Sequence, residues 1–165
     1  MTFEEAMQSL RDQALTMMIH TEAGVVHTSR ERGIKPLYEL YHNGTRFAGE
    51  TILVDRVIGL GAARIAVELG VNRVWTAVVS EPAKAYLMAV GIEVKFEKLA
   101  DHIQNREGTG PCPVESIALK AMPQRAQGSQ SPQSEEIFRD PERFRIMMED
   151  IRQFLVRIGA IHPQL

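Results

Sequence analysis

Two residues of this chain have types and spacing suited to covalent chemistry. Cys112, the one cysteine, lies between two prolines directly before a stretch with helical spacing. Backbone N–H groups and the helix dipole stabilise a thiolate at such a position, so Cys112 could act as a nucleophile. Glu115 would share its face of the first turn, where a carboxylate could act as acid or base. An inert cysteine beside a structural glutamate fits the same pattern, and both interpretations stay open.

Other polar residues stand where helices begin or near turns. Asp55 falls in the first turn of a predicted helix, and Ser80 and Glu81 precede a proline, which is a common helix start. The helix dipole favours anions at such positions, so these residues are candidates for ligand binding as well as for capping. Lys35, in a basic stretch, could contact phosphate, although charges near a turn are more often solvated.

The histidines and the cysteine do not have metal-binding spacing. His20, His27 and His42 are isolated, and the chain has no His-x-x-x-His or Cys-x-x-Cys pattern. A single cysteine also rules out an internal disulfide. We therefore predict no metal site and no cofactor, with Asp55, Cys112 and Glu115 as the candidate catalytic residues.

Composition limits the classes of partner. The chain has 165 residues, 44% of them hydrophobic, and a formal charge of −2, which is ordinary for one globular domain. This charge gives no reason to expect nucleic acid or an anionic membrane as a partner. No apolar run approaches the ~20 residues that a membrane-spanning helix needs, and the acidic N-terminus is unlike a signal peptide. The sequence predicts a cytoplasmic protein.

The stretch at residues 50–70 decides the predicted architecture. Its segment Gly59-Leu60-Gly61 after an apolar run is typical of a strand, a phosphate-binding turn and a helix, as in dinucleotide-binding folds. Apolar residues also recur through it at spacings of three and four, which is typical of one continuous helix. We prefer the single helix, with its two glycines making a close approach to a sheet or a ligand.

Periodicity and turn residues place the other elements. The patterns predict further helices at 2–12, 37–42, 80–91 and 114–122, and strands at 14–20, 25–29, 72–80 and 92–96. The first two strands should form an antiparallel hairpin, and the near-continuous apolar run at 72–80 suits a parallel strand. This order predicts an α/β fold, a three-layer α/β/α sandwich with helices on both faces of a mixed sheet.

The C-terminal part of the chain differs in composition from the core. We predict an α/β domain at residues 1–121, a linker rich in Pro, Gln and Ser at 122–134, and a C-terminal helix within 135–165. The apolar face of that helix must dock either on this core or on another subunit, which would make a homo-oligomer.

Four ordered motifs within roughly residues 15–121 together resemble a small prokaryotic family. The motifs are residues 32–37 (RGIKPL), 55–59 (DRVIG), 80–83 (SEPA), and 105–106 (NR) followed by 112–115 (CPVE). The family is an uncharacterised domain of unknown function with a cytidine-deaminase-like fold. This resemblance implies a deaminase-like mixed sheet and a nucleotide-like small molecule as ligand.

The resemblance also implies where a pocket would lie. Deaminases open two helices with His-x-Glu or Cys-x-Glu and with Pro-Cys-x-x-Cys, and those zinc ligands are missing at the matching positions here. In that fold the two helix starts meet, which would bring Asp55, Arg56, Ser80 and Glu81 together under the Cys112 loop. The family leads us to expect lysine at position 56. The arginine present there, Arg56, is compatible with charge pairing or phosphate binding and argues against a mechanism that needs a neutral amine. An enzyme, a ligand sensor and an interaction module all remain open.

Overall fold

The computed structural model describes residues 1–105, 107–122 and 140–163. Over these residues the chain forms five strands and six helices. In chain order they are α1 (Phe3–Asp12), β1 (Met17–Thr21), β2 (Gly24–Ser29), α2 (Lys35–His42), β3 (Thr51–Ile58), α3 (Leu60–Leu69), β4 (Arg73–Ser80), α4 (Glu81–Ala89), β5 (Glu93–Ala100), α5 (Pro113–Lys120) and α6 (Pro141–Arg157).

The five strands form one mixed sheet in the order β2-β1-β3-β4-β5. β1 pairs antiparallel with both β2 and β3, whereas β3, β4 and β5 run parallel to one another. The predicted hairpin and the predicted mixed sheet are therefore confirmed. The carboxyl ends of the three parallel strands meet at one edge, where α/β proteins usually bind ligands.

Two hydrophobic cores cover the two faces of the sheet. Side chains that alternate along β1 divide between them, as the period of a strand requires, with Met18 in the smaller core and Ile19 in the larger. The smaller core lies between the sheet and α1, and the larger core gathers α2 to α6. Helices therefore cover both faces, but very unequally.

All three parallel strands change the direction of their side chains near their carboxyl ends. Residues an odd number of positions apart on a regular strand point to opposite faces. Yet the larger core contains both members of three such pairs. The pairs are Leu53 and Ile58, Val74 and Val79, and Phe96 and Leu99. The reversal leaves Val57, Val78 and Lys98 outside that core, where they line a surface cleft.

The preferred prediction of one helix over residues 50–70 is wrong. β3 ends at Ile58, Gly59 caps the next helix in an extended conformation, and α3 runs from Leu60 to Leu69. Apolar residues recur at spacings of three and four in this stretch because β3 is buried on both faces and α3, which follows it, is also buried. The structure has the strand, turn and helix that the dinucleotide-binding alternative required. Asp55 therefore lies in a strand and does not begin a helix.

Most other helix starts are confirmed by their capping contacts. Thr2 and Glu5 form the predicted capping box of α1. The Ser80 hydroxyl accepts a hydrogen bond from the Ala83 N–H at the start of α4, and Asp140 caps α6 in the same way. The strand predicted at residues 92–96 is too short, because β5 continues to Ala100. The exposed charged residues of β5 hide its strand pattern in the sequence.

The C-terminal helix docks on the core of its own chain. Phe144, Met147, Ile151 and Leu155 of α6 are buried in the larger core. The Phe144 ring packs edge-on against Tyr41 of α2, with the ring centroids 5.1 Å apart. Most of the predicted linker at 122–134 and the start of the predicted helix region lie outside the described residues. The homo-oligomer stays a prediction.

None of the helices in the described ranges is long and apolar enough to cross a membrane.

Candidate functional site

A buried carboxylate joins the starts of two neighbouring helices at the carboxyl edge of the sheet. Glu115, in the first turn of α5, is 2% exposed. One of its oxygens accepts a hydrogen bond from the Leu60 N–H at the start of α3, at 2.6 Å. The other accepts from the Ser80 hydroxyl at the start of α4, at 2.8 Å. Glu115 thus occupies the position at the start of α3 that an anionic ligand would take.

Two glycines permit the close approach of α5 to α3. A side chain at Gly59 would collide with the Glu115 carboxylate, and one at Gly61 would come within 2.8 Å of the Val114 methyl group. Both glycines therefore serve packing within the chain. The glycines do make a close approach, but the prediction named the wrong partner: they approach helix α5 and neither the sheet nor a ligand.

Burial is the largest influence on the pKa of Glu115. It raises the pKa of Glu115 above its usual value, while the hydrogen bonds from Ser80 and Leu60 and the nearby His102 lower it. The Ser80 hydroxyl is itself fully buried and also accepts from Ala83. The arrangement suits a fixed structural carboxylate more than a group that must meet a substrate.

An open cleft lies beside this carboxylate, at the ends of β3, β4 and β5. Its volume is about 420 Å³. Its residues are Val57, Val78, Lys98, Ala100, Asp101, His102, Ile103 and Gln104. Val57 is 43% exposed, which is unusual for a large apolar residue in a central strand. The cleft thus combines an apolar floor with a lysine and a histidine.

The loop after β5 forms one wall of the cleft. Gln104 and Pro111 form an isolated antiparallel bridge, and the Cys112 N–H donates to the Ile103 carbonyl at 2.8 Å. The Ile103 side chain reaches the same space above Gly59 as Glu115 does. The loop therefore separates the cleft from the buried carboxylate.

Cys112 lies at this loop's far end and is partly buried. It caps α5 by position, but its side chain makes no capping hydrogen bond. Within the described residues no hydrogen bond joins its thiol to Glu115, whose carboxylate faces Leu60 and Ser80. The structure shows no contact that would pair the two as nucleophile and base.

Asp55 lies apart from Glu115. It pairs across the sheet with Met17 of β1 and Thr76 of β4, four residues before Gly59. Strand geometry places the two Cα atoms of Asp55 and Gly59 about 13 Å apart. Burial raises the pKa of Asp55 to about 7, although backbone N–H groups, including that of Val57, bond to it. Asp55 is thus a carboxyl group that changes charge near neutral pH.

The remaining predicted site residues do not converge on one point. Arg56 is exposed, and its Nε donates to the Leu15 carbonyl on the α1 side of the sheet. Lys35 pairs with Glu31 at 3.3 Å, and Glu81 is exposed in the first turn of α4. Among the predicted residues that are not neighbours in sequence, the hydrogen bonds of the described chain bring together only Ser80 and Glu115.

Metal ligands are not gathered anywhere in residues 1–105, 107–122 and 140–163. No three His, Cys, Asp or Glu side chains in these ranges lie close enough to hold a metal ion. Whether the protein carries zinc is a question for elemental analysis, and its absence stays a prediction.

Sequence reasoning missed the residues that line the cleft. Lys98 and His102 had no motif around them, and Val57 was assigned to a helix. An extended β5 would have placed Lys98 beside Val57 and Val78 at the strand ends. The missed signal was the apolar and charged alternation at residues 93–100.

The fold and the cleft define a mixed α/β protein with one five-stranded sheet and a strand-end crevice. The family model described as "TM1506: Domain of unknown function (DUF1893)" matches residues 5–128. The chain belongs to this family, so the predicted membership of a domain-of-unknown-function family is confirmed. No curated protein matches the chain.

A similar solved structure agrees with the fold. It is the crystal structure of a DUF1893 family protein (TM1506) from Thermotoga maritima, with 20% sequence identity and a TM-score of 0.63. The match covers 82% of this chain and 84% of that chain. At this identity the likeness supports the fold alone.

Proposed function

We propose that this protein binds a nucleotide-like small molecule in the cleft at the carboxyl ends of β3, β4 and β5. The observation that carries the proposal is the combination of an exposed apolar floor with Lys98 and His102 at the edge of a parallel sheet. Open α/β sheets commonly bind ligands at this edge.

The size and the floor of the cleft suit a nucleoside. Its volume of about 420 Å³ falls within the range of roughly 300–1,000 Å³ typical of small-molecule sites. Val57 and Val78 offer an apolar surface on which a planar base could lie. Burial of that surface would supply the non-specific part of the affinity.

The charged groups suit an acidic ligand of limited charge. Lys98 provides a cation for a phosphate, and the ring of His102 can donate a hydrogen bond to it. Asp101, on the same rim, could accept hydrogen bonds from a ribose or an exocyclic amine. A single lysine in the cleft favours a ligand with one or two phosphates over one with a longer polyphosphate group.

The start of α3 is a poor place for the pyrophosphate of a dinucleotide. The Leu60 N–H, which would bind the ligand, already donates to Glu115. A phosphate there would have to displace a buried carboxylate, so the cleft is the better site.

We also propose that the sheet is deaminase-like. An antiparallel hairpin beside three parallel strands supports this proposal, and so do two neighbouring helix starts, at Leu60 and Glu81, bridged by Glu115. The pocket that the resemblance implied would then lie at the starts of α3 and α4. The sequence-based prediction places it instead at a helix begun by Asp55. Zinc-dependent deamination is not part of the proposal, because the usual ligands are missing from the sequence.

Thermal-shift measurements with adenosine, AMP and ADP-ribose test the proposal. A ligand that binds only the folded state stabilises it by RT ln(1 + [L]/Kd), about 2.7 kcal/mol at a hundredfold excess over Kd. We expect AMP or ADP-ribose to raise the melting temperature more than adenosine does, because of Lys98.

The matched variants are Lys98→Ala and Lys95→Ala, which remove the same charge from the same strand. Lys95 lies outside the cleft and stacks over Trp75. Loss of the ligand shift in Lys98→Ala alone supports the site. Equal shifts in both variants, or none with any of the three ligands in the wild type, would overturn it.

A further inference from the structure

We propose that Asp55 and Thr76 are positioning residues for the cleft, because their side chains hold the backbone of the two valines that form its apolar floor. These floor valines are Val57 and Val78. The inference rests on the proposed function, since the surface that it concerns is the floor on which the nucleotide-like molecule is proposed to lie.

The floor valines interrupt the regular alternation of side chains along their strands. In β4, Trp75 lies in the smaller core and Ala77 packs against it, so a regular strand would send Val79 to the same side. Val79 is instead fully buried in the larger core. The change of direction in β4 therefore falls at Val78. β3 reverses at the matching position, Val57.

A side chain two positions earlier bonds to the backbone of each floor valine. The Thr76 hydroxyl donates a hydrogen bond to the Val78 carbonyl at 2.9 Å. The Asp55 Oδ1 accepts one from the Val57 N–H at 3.3 Å. Bonds from a side chain to the backbone two residues on offer that backbone an alternative to the regular ladder of a sheet. Each bond therefore supports the local departure from a regular strand at which the floor valine turns.

The two bonds lie side by side in the sheet. Asp55 pairs with Thr76 across β3 and β4, and Val57 pairs with Val78. The ladder between these two described strands skips the one position that separates the two pairs. Local irregularities of this kind re-aim side chains next to binding sites in other proteins. Neighbouring strands thus make the same turn at the same level, which brings the two valines to one surface.

Thr51 provides a matched control for Thr76. Both threonines lie in strands and are 0% exposed. The Thr51 hydroxyl also donates to a carbonyl two positions away, that of Gly49, at 3.3 Å. Thr51 begins β3 and does not line the cleft. Thr51→Val and Thr76→Val therefore each remove one buried hydroxyl, but only Thr76→Val removes a bond to a floor valine.

The exposure of the valine methyl groups is the first readout, because a general loss of stability does not change it at one valine alone. In protein labelled with ¹³C at these methyls, a soluble uncharged gadolinium chelate broadens the signals of exposed groups. We expect the broadening at Val78 to fall at least twofold in Thr76→Val. It should stay unchanged in Thr51→Val and in Thr76→Ser, which keeps the hydroxyl. Equal broadening in Thr76→Val and the wild type would overturn the inference, as would the same fall in Thr51→Val.

The same measurement at Val57 tests Asp55 and does not require Thr76→Val to fold. Asp55→Asn keeps an acceptor oxygen, so the broadening at Val57 should stay at the wild-type value. Asp55→Ala removes the acceptor, so the broadening should fall at least twofold. A wild-type value in Asp55→Ala would overturn the positioning role of Asp55.

Titration with AMP separates this inference from the proposed function. Where the wild type binds AMP, the Kd should rise at least fivefold in Thr76→Val and stay unchanged in Thr51→Val and Thr76→Ser. Equal affinity of Thr76→Val and the wild type would overturn the inference and leave the proposed function standing. A wild type that does not bind AMP would contradict the proposed function, and the methyl measurements would still decide whether Asp55 and Thr76 position the floor valines.

Discussion

The two ends of the parallel strands use buried polar groups in opposite ways. At the carboxyl end the Glu115 carboxylate is held by two donors, the Leu60 N–H and the Ser80 hydroxyl. At the amino end the Trp75 indole is buried without an acceptor among the described residues. A satisfied buried group closes its position to ligands, whereas an unsatisfied one in the core costs stability, about 1–3 kcal/mol.

This difference bears on where a ligand could bind. A turn with two glycines at the start of a helix is typical of phosphate binding, yet here the chain's own carboxylate fills it. The cleft that remains open lies next to it, beyond Ile103. A motif in the sequence therefore predicts the geometry of a binding site. It does not show whether a group of the same chain already occupies that site.

The largest expected effect comes from removing the Glu115 carboxylate. Glu115→Ala leaves two buried donors unpaired and opens a cavity, which should lower the free energy of unfolding by about 3–5 kcal/mol. Glu115→Gln keeps the shape and one acceptor, so it should cost less. Urea denaturation of the three proteins measures both. A loss below about 1 kcal/mol in Glu115→Ala would show that the carboxylate does not hold the two helices together.

At a fixed pH, a side chain at Gly59 should have the next largest effect. Gly59→Ala places a methyl group against the Glu115 carboxylate, which has to move. We expect a loss of about 1–3 kcal/mol, as for other overpacked sites. Gly44→Ala is not a suitable control because of its positive φ of 87°, whereas Gly110→Ala has space and ordinary φ. Equal stability of Gly59→Ala and Gly110→Ala would mean that α5 does not approach α3 so closely.

Asp55 should make stability depend on pH. Its folded pKa of about 7 lies above its usual 3.8, so the folded protein keeps a proton that the unfolded chain releases. Stability from this group is therefore fully present below about pH 4 and is lost as the pH rises through 7, by at most about 1.4 kcal/mol per pH unit. Melting temperatures between pH 4 and 8 should fall less steeply in Asp55→Asn than in the wild type. Parallel pH profiles for the two proteins would contradict the assignment.

The smallest expected effect is a gain. Cys112 caps α5 in an extended conformation without a side-chain hydrogen bond, and serine is a better cap. Cys112→Ser should therefore leave stability unchanged or raise it by up to about 1 kcal/mol. The same variant should bind AMP as the wild type does. A loss of binding would mean that the thiol contacts the ligand.

Part of this structure could be predicted from local sequence signals. Thr2 with Glu5, Ser80 before Pro82, and Asp140 before Pro141 mark helix starts that depend on neighbouring residues only. The hairpin and the β4 strand followed from the same kind of local pattern. The family membership followed from motifs spread along residues 32–115.

The rest depended on contacts between distant parts of the chain. Residues 50–70 satisfy both a helical period and a strand followed by a helix, and only pairing with β1 and β4 decides between them. The role of Glu115 depends on Leu60, 55 positions away, so no local pattern could show it. The reversal of side-chain direction near Val57 and Val78 is likewise a property of three aligned strands.

The most direct test of the proposed function is to map AMP onto the protein by ¹H–¹⁵N chemical-shift changes. The account predicts saturable shifts at Val57, Val78, Lys98 and His102, with Leu60 little affected because its N–H stays bonded to Glu115. Shifts centred on Gly59, Leu60 and Gly61 would instead place the phosphate at the start of α3, and no saturable shifts would contradict nucleotide binding at this edge of the sheet.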